Sequence, residues 1–378
     1  MIKDVPSQSD LIRWLHVVEC AAPRRFAGLL TESYFSRQLR KSRKYKNVAE
    51  GWAYIGKDRR SGPRFWFKIF QDHPKLSLAE EHFVSSLAAL GHRFFSLSMI
   101  ATVIGAQRLP NLEPKVGEFS KTSTGWGVFS TQGAANVQIR ITKLLTVYLK
   151  NQVHGRLNAS INDELPFKPW LENFGIPELQ TLFSQRCFMN CRNPSPLDLD
   201  AVAETHDGKL AFVEFKRKYP TNGASKPTNR EISPTRLTEI AYEIENELRS
   251  VDPQNLKSAT KAFNMACRKR GFTYVPRRSY GLDMAHFETL KLCSENQIIY
   301  EYYIWNSDSD ASKGAFQLPD VIADLESALT NELIEKKTII WWNRALHPIN
   351  ATGLTFTWGE RSGAYNNRCR VQITFDAA

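Results

Sequence analysis

The chain is predicted to be an α/β protein, because segments with strand periodicity alternate along it with capped helical segments. Three observations carry this expectation. Residues 197–204 and 210–216 read as two strands joined by the turn residues His206-Asp207-Gly208-Lys209. Ser233 then caps a helix with Pro234 at its first position and a stripe of Leu237, Ile240, Ala241, Ile244 and Leu248 that should pack on a sheet. Residues 297–305 (QIIYEYYIW) read as a further strand beyond it.

From the start of the chain, Asp10 is expected to cap a short helix carrying Leu11, Leu15 and Val18. Residues 52–55 and 65–70 resemble strands bracketing a Gly/Arg-rich turn. Ser77-Leu78-Ala79-Glu80 is a capping box, opening a helix with Phe83, Val84, Leu87 and Leu90 on one face and Gly91 at its end. That box is a sufficient reason for Glu80 and Glu81. Residues 105–135, rich in Gly, Pro, Ser and Thr, read as loops with short strands, and residues 139–149 as a helix. Gly125-Trp126-Gly127 lacks the strand and helix that phosphate-binding glycine motifs need. The polar stretch 151–168 marks a boundary between regions 1–155 and 156–378. Beyond it, residues 178–185 read as a helix after Pro177, and 186–191 as a strand or its approach. After the central elements, Val321, Ile322, Leu325 and Leu329 mark a helix, residues 338–342 a strand, and 354–358 with 370–375 a closing hairpin.

With 378 residues, 42% of them hydrophobic, the chain can bury a sizeable core. Its opening residues hold no apolar stretch of signal-peptide length, and no apolar run approaches the roughly 18 residues that span a bilayer. A cytoplasmic protein without a membrane partner is therefore expected. The six cysteines contain no CxxC pair, so reduced, mostly buried thiols are expected rather than a zinc site or disulfide framework. The histidines show no HExxH or HxH spacing, and no G-x-S-x-G elbow is present.

The net charge of +11 is clustered. Residues 37–46 carry Arg37, Arg40, Lys41, Arg43, Lys44 and Lys46 without an acid, followed by Lys57, Arg59, Arg60 and Arg64 among Trp52, Tyr54, Phe65, Trp66 and Phe67. Cations interleaved with aromatics suit phosphate contact and stacking on bases or sugars, with a solvated basic loop beside a buried aromatic strand as the alternative. Arg268, Lys269, Arg270, Arg277 and Arg278 form a second such cluster, ending in a Tyr280-Gly281-Leu282-Asp283 turn. Arg217, Lys218 and the polar, mobile loop 219–227 leave the second strand directly and are placed to lie along a phosphate backbone.

The chemistry concentrates on the predicted hairpin. With a period of two, Asp198 and Asp200 share one face of its first strand, and Glu214 and Lys216 share one face of its second, while Val213 and Phe215 face the other way. Carboxylates on paired strands repel by about 1 to 4 kcal/mol, depending on the local dielectric. Lys216 offsets part of this. A divalent cation would offset the rest, since two carboxylates, a backbone carbonyl and waters make the hard, oxygen-rich shell that Mg²⁺ prefers. The alternative is an ordinary hairpin whose charged face forms exposed ion pairs.

Asp200 followed by Glu214-Phe215-Lys216, with the apolar run Leu210-Ala211-Phe212-Val213 leading in, resembles the PD-(D/E)xK, or restriction-endonuclease-like, nucleases. The chain departs from that pattern where Pro196 is followed by Leu197 rather than Asp, which leaves Asp198 and Asp200 in competition. Asp200 is favoured because Leu199, Ala201 and Val202 place it inside the apolar strand, and Asp198 stays a candidate second ligand. The resemblance implies a restriction-endonuclease-like mixed sheet flanked by helices in residues 156–378, with a basic insertion at about 255–295. The α/β region 1–155 would grip or select DNA. It further implies Mg²⁺, replaceable by Mn²⁺, held by Asp200, Glu214 and the Phe215 carbonyl, with Lys216 orienting or activating the attacking water and a 5′-phosphate product. Many members carry a helix just ahead of the Asp strand, and in some it supplies one more acidic residue. Glu178 matches that position, or is simply a first-turn acid stabilised by its helix dipole. The implied activity is endonucleolytic cleavage of DNA, of restriction or phage-defence type because no helicase or ATP-binding motif accompanies the core. A homodimer is expected because cutting two strands usually takes two sites. A non-catalytic DNA-binding module, a repair or recombination nuclease and an RNA nuclease remain open.

Overall fold

The computed structural model describes residues 4–19, 32, 35–36, 38–41, 43–55, 65–70, 75–159, 168–191, 197–217, 221–228, 232, 234–251, 255–283, 289, 292–293, 296, 298–305, 334–342, 345–347, 351–359 and 368–376. They form a mixed α/β protein with several mixed sheets, as the element pattern predicts. The described residues up to Leu210 make one compact unit and those from Ala211 a second. The boundary drawn from composition, 155/156, falls inside a helix, Gly155–Ala159. Among the described residues no helix is long and apolar enough to cross a membrane.

The strands of the first unit are β1 (Asn47–Ala49), β2 (Trp52–Ile55), β3 (Phe65–Ile69), β4 (Arg93–Ile104), β5 (Leu109–Thr122), β6 (Gly125–Phe129), β7 (Leu197–Leu199) and β8 (Ala201–Glu204). Its helices are α1 (Gln8–Glu19), α2 (Leu78–Ala88), α3 (Gln132–Tyr148), α4 (Gly155–Ala159), α5 (Lys168–Leu171) and α6 (Ile176–Asn190), with a π-helical stretch Leu149–His154 joining α3 to α4. A six-stranded sheet runs β6-β5-β4-β3-β2-β7. All its pairs are antiparallel except β3 with β4, which are parallel and separated in sequence by α2.

Strand alternation gives this sheet two apolar faces. Phe67, Phe95, Leu97 and Met99 join a core with Trp14 of α1, Ile141 and Leu145 of α3, and Phe183 of α6. Trp52, Trp66 and Phe94 face the other way and meet Phe83 of α2, with ring centroids 5.2, 5.0 and 5.4 Å from it. Trp52, Tyr54, Trp66 and Phe67 are all buried. The expectation that they stack on bases is therefore corrected: they are core, because each side of the sheet carries its own helix layer. Lys57, Arg59, Arg60 and Arg64 lie outside the described residues.

Local signals held well in α2. Ser77 accepts from Glu80 N, the Glu80 carboxylate accepts from Ser77 N at 2.8 Å, and Gly91 closes the end at φ +83°. Phe83, Val84 and Leu87 are buried, but Leu90 lies past the helix end and is exposed. In α1 the cap is Ser7 rather than Asp10. Asp10 stands three residues on and accepts from Ser7 N at 2.8 Å, while Ser7 Oγ accepts from Asp10 N at 3.2 Å.

The largest correction concerns residues 105–135, which form a long meander of β5 and β6 against β4 followed by the start of α3. Pro110 and Pro114 suggested loops, yet both sit within β5. Val116, of the same parity, donates its amide to Gln138 Oε1 at 3.1 Å, and His154 Nε2 lies 2.9 Å from Pro110 O. Amides at these positions point away from β4, so proline costs the ladder no hydrogen bond. Likewise α3 begins at Gln132, capped by Thr131, and α6 runs through residues 186–190 where a strand was expected.

In the second unit, β9 (Leu210–Arg217), β13 (Ile299–Trp305), β14 (Ile334–Trp342) and β15 (Ala345–His347) form one ladder, reached through β10 (Ala224–Pro227), β11 (Phe272–Val275) and β12 (Ser279–Asp283) and completed by β16 (Ala351–Gly359) and β17 (Arg368–Asp376) in another. β9 and β13 are parallel, and β13 with β14 is antiparallel. The other sheet is antiparallel in the order β11-β10-β16-β17-β12. Helices α7 (Pro234–Leu248) and α8 (Leu256–Lys269) accompany them. The α7 stripe is buried as predicted, and the closing hairpin is β16 with β17. Two expectations are corrected. The polar loop at 219–227 contains β10, and the 280–283 turn is strand β12, whose Gly281 lies against the Gln372 side chain. Ser233 and the predicted helix at 321–329 lie outside the described residues.

Candidate metal centre and nucleic-acid interface

Asp200 lies at a corner. The β1–β8 and β2–β7 pairs keep one register, with Ala49 opposite Val202 and Trp52 opposite Leu199, so Glu50 and Gly51 stand across from Ala201 and Asp200. The two pairs nevertheless belong to different sheets, and the ribbon bends between them. Gly51, at φ +82°, takes a conformation at the bend that other residues adopt only with strain. Asp200 therefore lies between two strands, not within one as its apolar neighbours suggested. Its side chain is half-buried, and its carbonyl accepts from Ser36 Oγ at 3.4 Å. The bend places Asp198, opposite Ala53, in the other sheet; its side chain lies outside the described residues.

From β8 the chain turns tightly. Thr205 N donates to Lys209 O at 2.9 Å, Gly208 N donates to Thr205 O at 3.0 Å, and Gly208 has φ +79°. The Lys209 ammonium pairs with Asp207 at 2.6 Å. The predicted turn chemistry is thus in place, one residue wider than read from sequence.

β9 carries Glu214, only 4% exposed, between fully buried Val213 and Phe215. Its register neighbours on β13 are Tyr302 for Glu214, Tyr303 for Phe215 and Ile304 for Lys216. Glu301, paired with Val213, is a second buried carboxylate on the opposite face of this strand pair, where Tyr303 Oη donates to it at 3.5 Å. Burial pushes the Tyr303 phenol upward, and the Glu301 charge adds to the shift. The side chains of Lys216 and Arg217, and Lys218 entirely, lie outside the described residues.

The division into units separates the predicted set: Asp200 belongs to the first, and Glu214, Phe215 and Lys216 to the second. Among the described residues, no group of three or more His, Cys, Asp or Glu side chains is arranged to hold a metal ion. Glu178 has a structural role, accepting from Gly175 N at 2.8 Å at the start of α6. Cys187 and Cys191 are buried, with Cys191 Sγ donating to Cys187 O at 3.3 Å and burial pushing the Cys191 pKa up to about 12.

In each basic cluster some residues form ion pairs and several are exposed. Arg40 pairs with Glu50 at 2.8 Å, and Lys46 with Glu204 at 3.1 Å. Asn47 and Lys46 hydrogen bonds hold Glu204 below the usual carboxylate range, against its burial. Lys41, Arg43 and Lys44 are exposed, and Arg37 lies outside the described residues. In the second cluster Arg270 binds Glu243 at 3.0 Å and also Glu247, which fastens the end of α8 to α7. Arg268, Lys269, Arg277 and Arg278 are exposed.

Sequence reasoning missed Glu50 and Ser36, both near the Asp200 corner. Glu50-Gly51 was a legible breaker between two short strands, but only the pairing with residues 197–204 gives it meaning. Comparisons with protein-family models, curated proteins and solved structures return no match to this chain.

Proposed function

We propose that the chain is a Mg²⁺-dependent endonuclease acting on DNA in the cytoplasm, of the PD-(D/E)xK type and of restriction or phage-defence character. The observation that carries this reading is Glu214. A carboxylate only 4% exposed stands two residues before Lys216 in an otherwise apolar strand, the Glu-x-Lys spacing of that family, and offers a hard oxygen ligand to a divalent cation. The succession β9, α7 and a parallel β13 supports the restriction-endonuclease-like reading of the second unit.

The donor set fits a hard cation: Asp200, Glu214 and the Phe215 carbonyl offer only oxygen. When bound there, Mg²⁺ acidifies water and polarises the phosphate. Lys216 would orient the attacking water and balance charge building on the phosphate. Lys41, Arg43, Lys44, Arg268, Lys269, Arg277 and Arg278 would hold the backbone, and two copies would serve to cut both strands.

The test is cleavage of a mixed DNA panel. Cutting should require Mg²⁺ or Mn²⁺, and Ca²⁺ should permit binding while cutting stalls. Undiminished cleavage in EDTA contradicts the proposal.

A further inference from the structure

Among the described residues the longest helix, α3, carries a cationic face that neither basic cluster includes. No acidic residue occurs between Glu118 and Asp163, a stretch that contains α3, the π-helical segment and α4. The inner side of α3 is spent on the core through Ala134, Ile141 and Leu145. Helical periodicity then puts Asn136, Arg140, Lys143 and Val147 together on the outer side, with Lys150 a further turn on. All are exposed. Arg140, Lys143 and Lys150 have no ion-pair partner among the described residues, unlike Arg40, Lys46 and Arg270.

We infer that this outer face of α3 is a binding surface for the phosphate backbone of a double-stranded nucleic acid. Arg140 and Lys150 are separated by about 15 Å along the helix axis. That span is comparable to the major-groove width of about 12 Å, so cations at its two ends can reach phosphates on either side of a groove. Beside that face, Thr142 and Thr146 turn their hydroxyls back onto the carbonyls of Gln138 and Thr142, each at 2.8 Å. A lipid surface fits less well. The exposed aliphatic side chains, Ile139 (70%) and Val147 (52%), are about 12 Å apart along the axis, and the exposed face has no aromatic side chain to sit at a bilayer interface. The surface extends the nuclease reading to a further contact with the same class of substrate, but it does not need the metal site.

The test is binding of a fluorescent DNA duplex in EDTA, read by anisotropy across a salt series. It compares the parent with Arg140→Gln/Lys143→Gln/Lys150→Gln and with a control pair on α8, Lys257→Gln/Lys261→Gln. The triple variant should flatten the log–log salt slope by about 0.9 per lost contact, or about 2.7 in all, and the control should not. Should the triple variant lose its helical circular dichroism, Lys143→Gln alone should lower the slope by about 0.9. An unchanged slope overturns the inference, as does an equal change in the control pair. So does loss of binding to phosphatidylserine vesicles with duplex binding intact. Failure to cut DNA with the slopes as expected bears only on the metal site.

Discussion

The Glu80 carboxylate serves two structures at once: Oε1 meets the Lys68 ammonium and accepts from Trp52 Nε1 at 3.1 Å, while Oε2 closes the α2 capping box on Ser77. Both Glu80 and Lys68 lie inside the first unit, with side chains 3% and 15% exposed. Glu80→Gln keeps a hydrogen-bonding group at the cap but leaves Lys68 as a buried charge. Urea unfolding should show a loss of about 3–5 kcal/mol, and adding Lys68→Met should recover much of it. A fully additive double variant contradicts the coupling.

Acid should weaken the α1 anchor. Burial alone would raise the Asp10 pKa, but hydrogen bonds from Arg108 and Ser7 prevail and lower it from 3.8 to about 2. A depressed carboxyl contributes stability that is present above its unfolded pKa and lost as pH falls through the folded one. Asp10 should therefore contribute about 2 kcal/mol above pH ~4, fading towards pH ~2. Urea midpoints of the parent and Asp10→Asn should converge over that window. A constant difference between them counts against the Arg108 contact.

What was legible in the sequence was local. The Ser77 box, the α7 stripe and the Gly208 turn each depend on residues close in sequence, and each is present, the turn one residue wider than read. Elements that depend on distant partners were misread. β5 tolerates Pro110 and Pro114 because their amide positions face away from β4. Gly281 looked like a turn but stands within β12, paired with β17. The Asp200 corner shows the same limit: alternation along residues 197–204 is visible, but the bend depends on Gly51 in a far segment. The basic clusters were visible as charge, while the acids that occupy Arg40, Lys46 and Arg270 become apparent only with the fold.

That distinction separates two kinds of arginine near α8. Arg270→Gln should cost on the order of 1 kcal/mol of stability, since it unties α8 from Glu243 and Glu247, and should leave the salt dependence of DNA binding unchanged. Arg268→Gln/Arg278→Gln should do the reverse, flattening the slope by about 0.9 per lost phosphate contact with little effect on unfolding. An Arg270 variant with the flatter slope would reassign that residue to the interface.

The central claim is tested most directly by the single-turnover cleavage rate of DNA in Mg²⁺ for Asp200→Asn, Glu214→Gln and Lys216→Ala, with Asp198→Asn as comparison. Each of the first three should fold, bind DNA as the parent does, and cut slower by orders of magnitude, while Asp198→Asn should do less. An Asp198 variant as slow as the others would make it a ligand too. If Asp200→Asn, Glu214→Gln and Lys216→Ala all bind DNA and cut it at the parent rate, these residues serve the fold alone and the nuclease assignment at this site is wrong.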